Sequence, residues 1–440
     1  MTTTILRTAM LLSTSVWLAA CSWYHTGQAH SIQPVDAPYT LRVVQFDDQG
    51  RYWDRTEQLE ALRIVEAAAR RGGATVVVFI HGWHHDAGAA DSNLADFAAA
   101  LRDLKTEIEQ PVYRAARKAL FGHEDSDVVG IYIGWRGRSL PGFADYLTFW
   151  DRKPAAERIG RGDVVELLSQ LDHICRRTTD KGKYTGLVTI GHSFGAQVAA
   201  TAISSVIRQR IAAARDQDGT YSYPLSGFGD LVVLVNPAAE ASVLEGLSEA
   251  TRRARFSPAQ APVLLVVSSE NDSATGWWFP MGRRLDVSDQ VYRDDEYAQN
   301  IRAVGWYRPQ VTHCLALEQG RACEGYPVRP VDYRGPRVSA SQATVGVPSE
   351  AYAGVWTLKD IGAPEGITLG GDIGMAGVRL YRVSDAIDEN QPIVVAKATN
   401  EVVNGHNGVF DRPFREFLIR YATGTELKRF LILARSVQAP

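Results

Sequence analysis

LVTIGHSFGAQ, residues 187–197, is an apolar, β-branched run that stops at Gly191, continues through His192, Ser193, Phe194 and Gly195, and opens into the small-residue run 196–202. A strand, a glycine, a serine at the corner and then a helix make the context in which G-x-S-x-G reads as a nucleophile elbow. The chemistry needs a turn so tight that the serine is held in a strained conformation with its hydroxyl outside the fold. Gly191 and Gly195 leave room for such a turn because neither carries a Cβ.

Outward from this elbow, short apolar strands alternate with helical patterns. Upstream, 40–46 reads as a strand, and 56–70 as a helix from the spacing of Leu59, Leu62, Ile64 and Val65. TVVVFI, 75–80, is too short for a helix and suits a strand buried on both faces. Helix 91–108, with Asp91 or Ser92 as N-cap, strand 128–133 and helix 159–174 follow. Downstream, strand 231–235 ends in Asn236-Pro237, 239–253 reads as helical, and strand 263–267 ends in SSEND, 268–272. Repeated strand–helix units predict an α/β fold with a mostly parallel sheet covered on both faces, its functional loops beyond the carboxyl ends of the strands.

The pattern loosens over 273–391, which contains Trp277-Trp278, Arg-Pro and Gly-Pro pairs and short strand candidates in 368–383. A cap, an elaborated sheet edge and a small second domain all fit this segment. Trp277, Trp278 and Phe279 suit an acyl pocket or a membrane contact, but core or lid packing is the more frequent fate of such residues. Regularity returns with strand PIVVAKAT, 392–399, the loop carrying Gly405-His406-Asn407, and helix 412–421.

Composition bounds the function. The chain has 440 residues, 45% hydrophobic and 22% charged, and a formal net charge of -3. It is ordinary globular material without the basic field that nucleic acid requires. No Walker motif, G-x-G-x-x-G unit or CxxC pair occurs, so nucleotide and redox cofactors are not indicated.

Serine attack on an acyl carbon requires a base, a carboxylate that orients it, and donors for the oxyanion. Ser193 follows a central strand, Asp272 a strand two units later and His406 the last strand, in that order. With GHSFG at the elbow, HGWHH at 81–85 after an early strand, and GHN at 405–407, the chain from residue 40 onward resembles the bacterial α/β-hydrolase-fold serine hydrolases of the lipase and esterase type. The resemblance implies Ser193 as nucleophile, His406 as base and Asp272 as acid, the backbone amides of Trp83 and Phe194 as oxyanion hole, and 273–391 as an insertion before the last strand. It implies cleavage of a small-molecule or lipid ester without a cofactor, amide or thioester cleavage being chemically adjacent.

Each role has a rival. Glu270 shares the loop of Asp272, Glu240 follows the preceding strand, and His313 lies in the irregular segment beside Cys314. His81, His84, His85 and Asp86 together suggest metal ligands, although a catalytic metal usually draws its ligands from several elements. His192 is expected to be packed rather than reactive. A scaffold kept only for binding would be expected to lose a triad member, and none is missing.

The first 21 residues read as targeting. Arg7 forms a weak positive region, 9–20 a short apolar one, and LAAC, 18–21, closes it. The segment resembles a bacterial lipoprotein signal peptide, which implies lipidation of Cys21 and a membrane anchor. Ser22 lacks the acidic character of inner-membrane retention, which favours the outer membrane. An ordinary secretory signal is the competing reading, and the apolar run falls short of the ~18 residues of a membrane span. Residues 22–39 are polar and turn-rich, as a tether would be. Cys314 and Cys323 are near enough in sequence for a disulfide in an oxidising compartment, two free thiols being the alternative, and Cys175 reads as a buried thiol in an apolar helix.

Overall fold

The computed structural model describes residues 37–137, 149–179, 183–216, 221, 224–257, 260–293, 296–326 and 377–438. Cys21, the signal segment, nearly all of the 22–39 tether, and 327–376 lie outside the described residues.

The strands are β1 (Thr40–Phe46), β2 (Ala74–Ile80), β3 (Asp127–Trp135), β4 (Thr185–His192), β5 (Leu231–Val235), β6 (Leu264–Ser269), β7 (His313–Leu317), β8 (Val378–Arg382) and β9 (Ile393–Ala398). They form one nine-stranded sheet in the order β1-β3-β2-β4-β5-β6-β9-β7-β8. Neighbours pair in parallel except β7 with β8, which are antiparallel. In β2, β5, β6 and β9 every residue is buried. This explains their mainly apolar composition without polar alternation: a parallel strand covered on both faces has no solvent side to mark.

Alternate side chains feed two cores. Val76, Val78 and Ile80 of β2 join one, and Val77 and Phe79 join the other. The first core packs against α1 (Arg55–Arg71), α4 (Phe149–Arg161), α5 (Val164–Thr179), α6 (Phe194–Ala214) and α7 (Glu245–Thr251). The second packs against α2 (Ser92–Ile108) and α10 (Arg412–Gln438), with α3 (Pro111–Phe121) beside α10. Each fully buried aliphatic or aromatic side chain contributes about 1.5–3 kcal/mol, so layers of this size hold the sheet against both helical covers. The described helices are completed by α8 (Phe279–Asp286) and α9 (Glu296–Ile301).

Several expectations need correction. The helix expected over 159–174 is two, α4 and α5, divided at Gly162-Asp163. There the Asp163 amide donates to the Gly50 carbonyl (2.7 Å) and its carboxylate pairs with Arg51 (2.8 Å), so a turn from a distant part of the chain claims backbone that a helix would use. Residues 239–253 form a 3-10 turn (Ala241–Leu244) followed by α7. Their first amides are engaged elsewhere: Ala241 N–H donates to the Arg302 carbonyl at 2.9 Å, and the Ala239 carbonyl accepts from Val304 N–H at 2.9 Å. The terminal helix runs on to Gln438 instead of stopping near Tyr421, and α3 was not anticipated, although Pro111 at its first turn is a start signal. In the 273–391 stretch, β7 and β8 extend the main sheet beyond β9, so this described part elaborates the sheet edge.

Candidate active site

The elbow serine stands between β4 and α6 at φ 56° and ψ -120°. A non-glycine residue there stores about 1–3 kcal/mol of strain, which the surroundings must outweigh. They do so through the backbone: Ser193 N–H donates to the Val235 carbonyl (3.0 Å), and the Ser193 carbonyl accepts from the amides of Ala196 (3.1 Å), Gln197 (3.2 Å) and Ala238 (3.2 Å). Close approach is equally demanding. A Cβ on Gly195 would lie 2.1 Å from the Ile80 carbonyl oxygen, and one on Gly82 would lie 2.8 Å from the Ser193 Cβ. The two glycines let the turn after β2 press directly against the elbow.

The structure brings Ser193, Asp272 and His406 together. His406 Nε2 is 2.7 Å from Ser193 Oγ, and His406 Nδ1 is 2.9 Å from Asp272 Oδ2. A carboxylate can only accept, so Nδ1 carries the proton and Nε2 is left to accept from the serine hydroxyl. Asp272 is almost fully buried. Burial acts to raise its pKa, but the facing His406 and hydrogen bonds from His406 and Thr275 outweigh it and hold the carboxyl below its ordinary 3.8. Its Oδ1 accepts from the Ala274 (2.9 Å) and Thr275 (3.2 Å) amides, and its Oδ2 also accepts from the Thr275 hydroxyl.

The rival residues are occupied elsewhere. Glu240 forms ion pairs with Lys153 (2.7 Å) and Arg283 (2.8 Å), and Glu270 pairs with Arg321. His313 is buried in β7 with its Nδ1 2.8 Å from Thr312 Oγ1, and burial beside Arg382 lowers its pKa to about 3. The histidine cluster does not converge on a metal-ligand geometry. His81 Nδ1 donates to the Gly82 carbonyl (2.9 Å) while its Nε2 accepts from Trp135 N–H (3.0 Å), which commits both ring nitrogens. Burial lowers its pKa to about 4 and keeps it neutral. His85 Nδ1 lies 2.7 Å from Asp91 Oδ1, and among the described residues no group of three or more His, Cys, Asp or Glu could hold a metal ion.

The proposed oxyanion residues flank the serine. Phe194 is the first residue of α6, at the positive end of a 21-residue helix. Trp83 follows Gly82 in the turn after β2, where its ring stacks on His84 at 3.9 Å. That turn is shaped by Asp91, which caps α2 through the Asn93 amide (3.0 Å) and also accepts from the Ala87 amide (2.9 Å) and the Tyr132 hydroxyl (3.2 Å). Burial acts to raise the Asp91 carboxyl, but the His85 hydrogen bond and the nearby imidazoles win and push it well below the carboxylate range.

Three positioning residues escaped the sequence reading. Asn236, at φ 45° after β5, donates from Nδ2 to the carbonyls of Gly405 (3.0 Å) and His406 (2.8 Å), while its Oδ1 accepts from Ser269 N–H (2.8 Å). Asn271 accepts from Gly405 N–H at 2.8 Å, and Ser269 Oγ lies 2.6 Å from the Val403 carbonyl. An asparagine directly after a strand was the available signal, because Asn tolerates positive φ and bonds backbone locally. His192, expected as packing, is buried, and its Nε2 donates to the His406 carbonyl (2.8 Å), with burial lowering its pKa to about 3.

No protein-family model matches this sequence, and no curated protein matches it. Among solved structures, the chain is similar to an uncharacterized protein from Pseudomonas aeruginosa at 12% identity and a TM-score of 0.20. The likeness covers 57% of this chain and 41% of that one, and at this level it carries no argument.

Two further observations complete the surroundings. Cys314 and Cys323 form a disulfide, and Cys175 is a free, buried thiol whose pKa burial pushes well above 9.0. Trp277 and Trp278 are 76% and 58% exposed, against the expected core or lid packing, while Phe279 is buried. The π-helical turn 274–278 sends the two indoles outward because the inner side of this segment is already filled by Trp306, which packs on Gly276.

Proposed function

We propose that this chain is a serine hydrolase of the α/β-hydrolase fold that cleaves a carboxylic ester without a cofactor. The observation that carries the reading is the continuous hydrogen-bonded line Ser193 Oγ–His406–Asp272, at 2.7 and 2.9 Å, with the serine on a strained, backbone-locked turn.

In this reading His406 Nε2 takes the hydroxyl proton as Ser193 Oγ attacks the acyl carbon. Asp272 keeps the proton of the imidazole on Nδ1 and faces the imidazolium that forms. The oxyanion is met by the amides of Phe194 and Trp83, fixed donors that need no rearrangement at the moment of reaction. His406 returns the proton to the leaving alkoxide, and water repeats the sequence on the acyl-enzyme. The buried, committed ring nitrogens of His81 argue against the metal-dependent alternative. The reading also includes an N-terminal lipid anchor at Cys21, so that the domain acts at a membrane of a bacterial envelope.

A fluorophosphonate probe tests the chemistry: wild type is labelled stoichiometrically, and Ser193→Ala is unlabelled and loses esterase activity by a factor on the order of 10³ or more while staying folded. A folded wild type that resists the probe sinks the proposal and favours a binding role for the scaffold.

A further inference from the structure

Lys397 lies in the middle of β9, opposite Ser268 of β6 and Cys314 of β7. The residue is only 5% exposed, and its Nζ has no hydrogen-bond partner. A buried ammonium without an acceptor is costly and calls for an explanation. It faces an aromatic ring: Nζ sits 3.0 Å from the centroid of the Trp306 ring. That indole is tied to the site, since Trp306 Nε1–H donates to Thr275 Oγ1 at 2.9 Å and the Thr275 hydroxyl donates to Asp272 Oδ2, the oxygen that His406 Nδ1 also contacts.

We propose that Lys397 is a positioning residue for the His406–Asp272 pair: its ammonium clamps the Trp306 indole, which aims the Thr275 hydroxyl at the Asp272 oxygen that orients His406. The inference rests on the reading of Ser193, His406 and Asp272 as a triad. The indole N–H leaves the Thr275 oxygen only its own proton to give, and that proton goes to Asp272. A ring held on one face by a desolvated cation and packed closely against Gly276 is confined to this donor role.

The charged and titratable groups around Lys397 are few. The loop after β6 brings Asp272, whose charge favours the ammonium, and the Glu270–Arg321 pair. Strand β7 brings the Cys314–Cys323 disulfide, which does not titrate, and β8 the Tyr381 phenol opposite Cys314. Burial dominates and lowers the Lys397 pKa to about 7. The amine is therefore charged below that value and neutral above it, so the clamp is present on the acid side of neutrality and weakens as pH rises.

The experiment follows the rate of fluorophosphonate capture, and kcat and KM on a p-nitrophenyl acyl ester, from about pH 6 to about pH 9 in wild type, Lys397→Met, Lys397→Arg and Trp306→Phe. Lys397→Met lowers kcat about tenfold at pH ~6 with KM unchanged, and the deficit closes toward pH ~9, where the wild-type amine is neutral. Lys397→Arg keeps the wild-type rate and holds it into the alkaline range, because a guanidinium stays charged. Trp306→Phe loses a similar factor at every pH, since the ring remains but the N–H to Thr275 is gone. The low-field proton resonance of the His406–Asp272 bond reads the same positioning without turnover: it exchanges faster in Lys397→Met and not in Lys397→Arg. An unchanged resonance and pH profile in folded Lys397→Met, or equal losses in the Met and Arg variants, overturns the proposal. A wild type that takes no probe while its resonance still answers to Lys397 sinks the triad chemistry and leaves the positioning role standing.

Discussion

Asn236 shows how much of this site is held through backbone. Its side chain makes three bonds to two separate segments, the His406 loop through two carbonyls and β6 through Ser269 N–H. Asn236→Ala removes a donor from two half-buried carbonyls, a loss of about 1 kcal/mol. In the proposed reaction it is expected to lower kcat by roughly 10–100-fold with little change in KM, which steady-state kinetics checks. Asp272→Asn replaces an acceptor by a group that can donate to Nδ1, favouring the imidazole tautomer with its proton on Nε2. The expected loss in kcat is on the order of 10³–10⁴-fold, the scale that a wrong tautomer costs in serine proteases. The depressed Asp272 pKa has a stability sign as well. Its contribution is present above the ordinary carboxylate value and is lost as pH falls through the lower folded value, so acid unfolding of wild type but not of Asp272→Asn should contain this component. Ser193 was legible in the sequence because the elbow is local: five consecutive residues and their flanks dictate the turn. Asp272 could not be separated from Glu270 or Glu240 by sequence, because the choice depends on which carboxylate is left without a cation, and the cations come from residues 153, 283 and 321.

At the level of elements, the strands were more legible than the helices. A buried parallel strand advertises itself by a mainly apolar run: β5 is apolar throughout, and β2, β4, β6 and β9 are mainly so, with Lys397 of β9 the charged exception. Helix limits respond to distant partners instead, as the break at Asp163 and the 3-10 turn at 241–244 show. Helix α10 extends past its amphipathic start because Thr423 and Glu426 find partners on other elements: Thr423 Oγ1 accepts from the Tyr113 hydroxyl (2.9 Å), and Glu426 Oε1 accepts from the Thr75 hydroxyl (3.0 Å). Burial raises the Glu426 pKa to about 7. For a carboxyl raised in this way, stability is greatest below the ordinary value of 4.5 and declines as pH rises toward 7, by about 3 kcal/mol in all. Glu426→Gln keeps an acceptor for Thr75 and cannot ionise. It is expected to flatten this decline and to raise the denaturation midpoint at pH ~8, which urea titrations across pH check.

For the molecule as a whole, the parallel sheet gathers its working loops at one edge. Trp83 follows β2, Ser193 follows β4, Asn236 follows β5, Asp272 follows β6 and His406 follows β9, so every contributor to the site leaves the carboxyl end of a parallel strand. Among the described residues no helix is long and apolar enough to cross a membrane. The lipid anchor proposed at Cys21 has its own test: Cys21→Ala is expected to abolish incorporation of labelled palmitate and to move the protein from the membrane fraction to the soluble one. What the sequence by itself determined is what short-range chemistry dictates: the elbow, the apolar strands and their alternation with helices, and the order of Ser193, Asp272 and His406. Only the tertiary structure decided which acid faces the imidazole, that Asn236 and His192 hold its loop, and that Lys397 lies buried against Trp306. Those contacts join residues far apart in sequence, and no local pattern encodes which of several like groups will be brought within hydrogen-bonding distance.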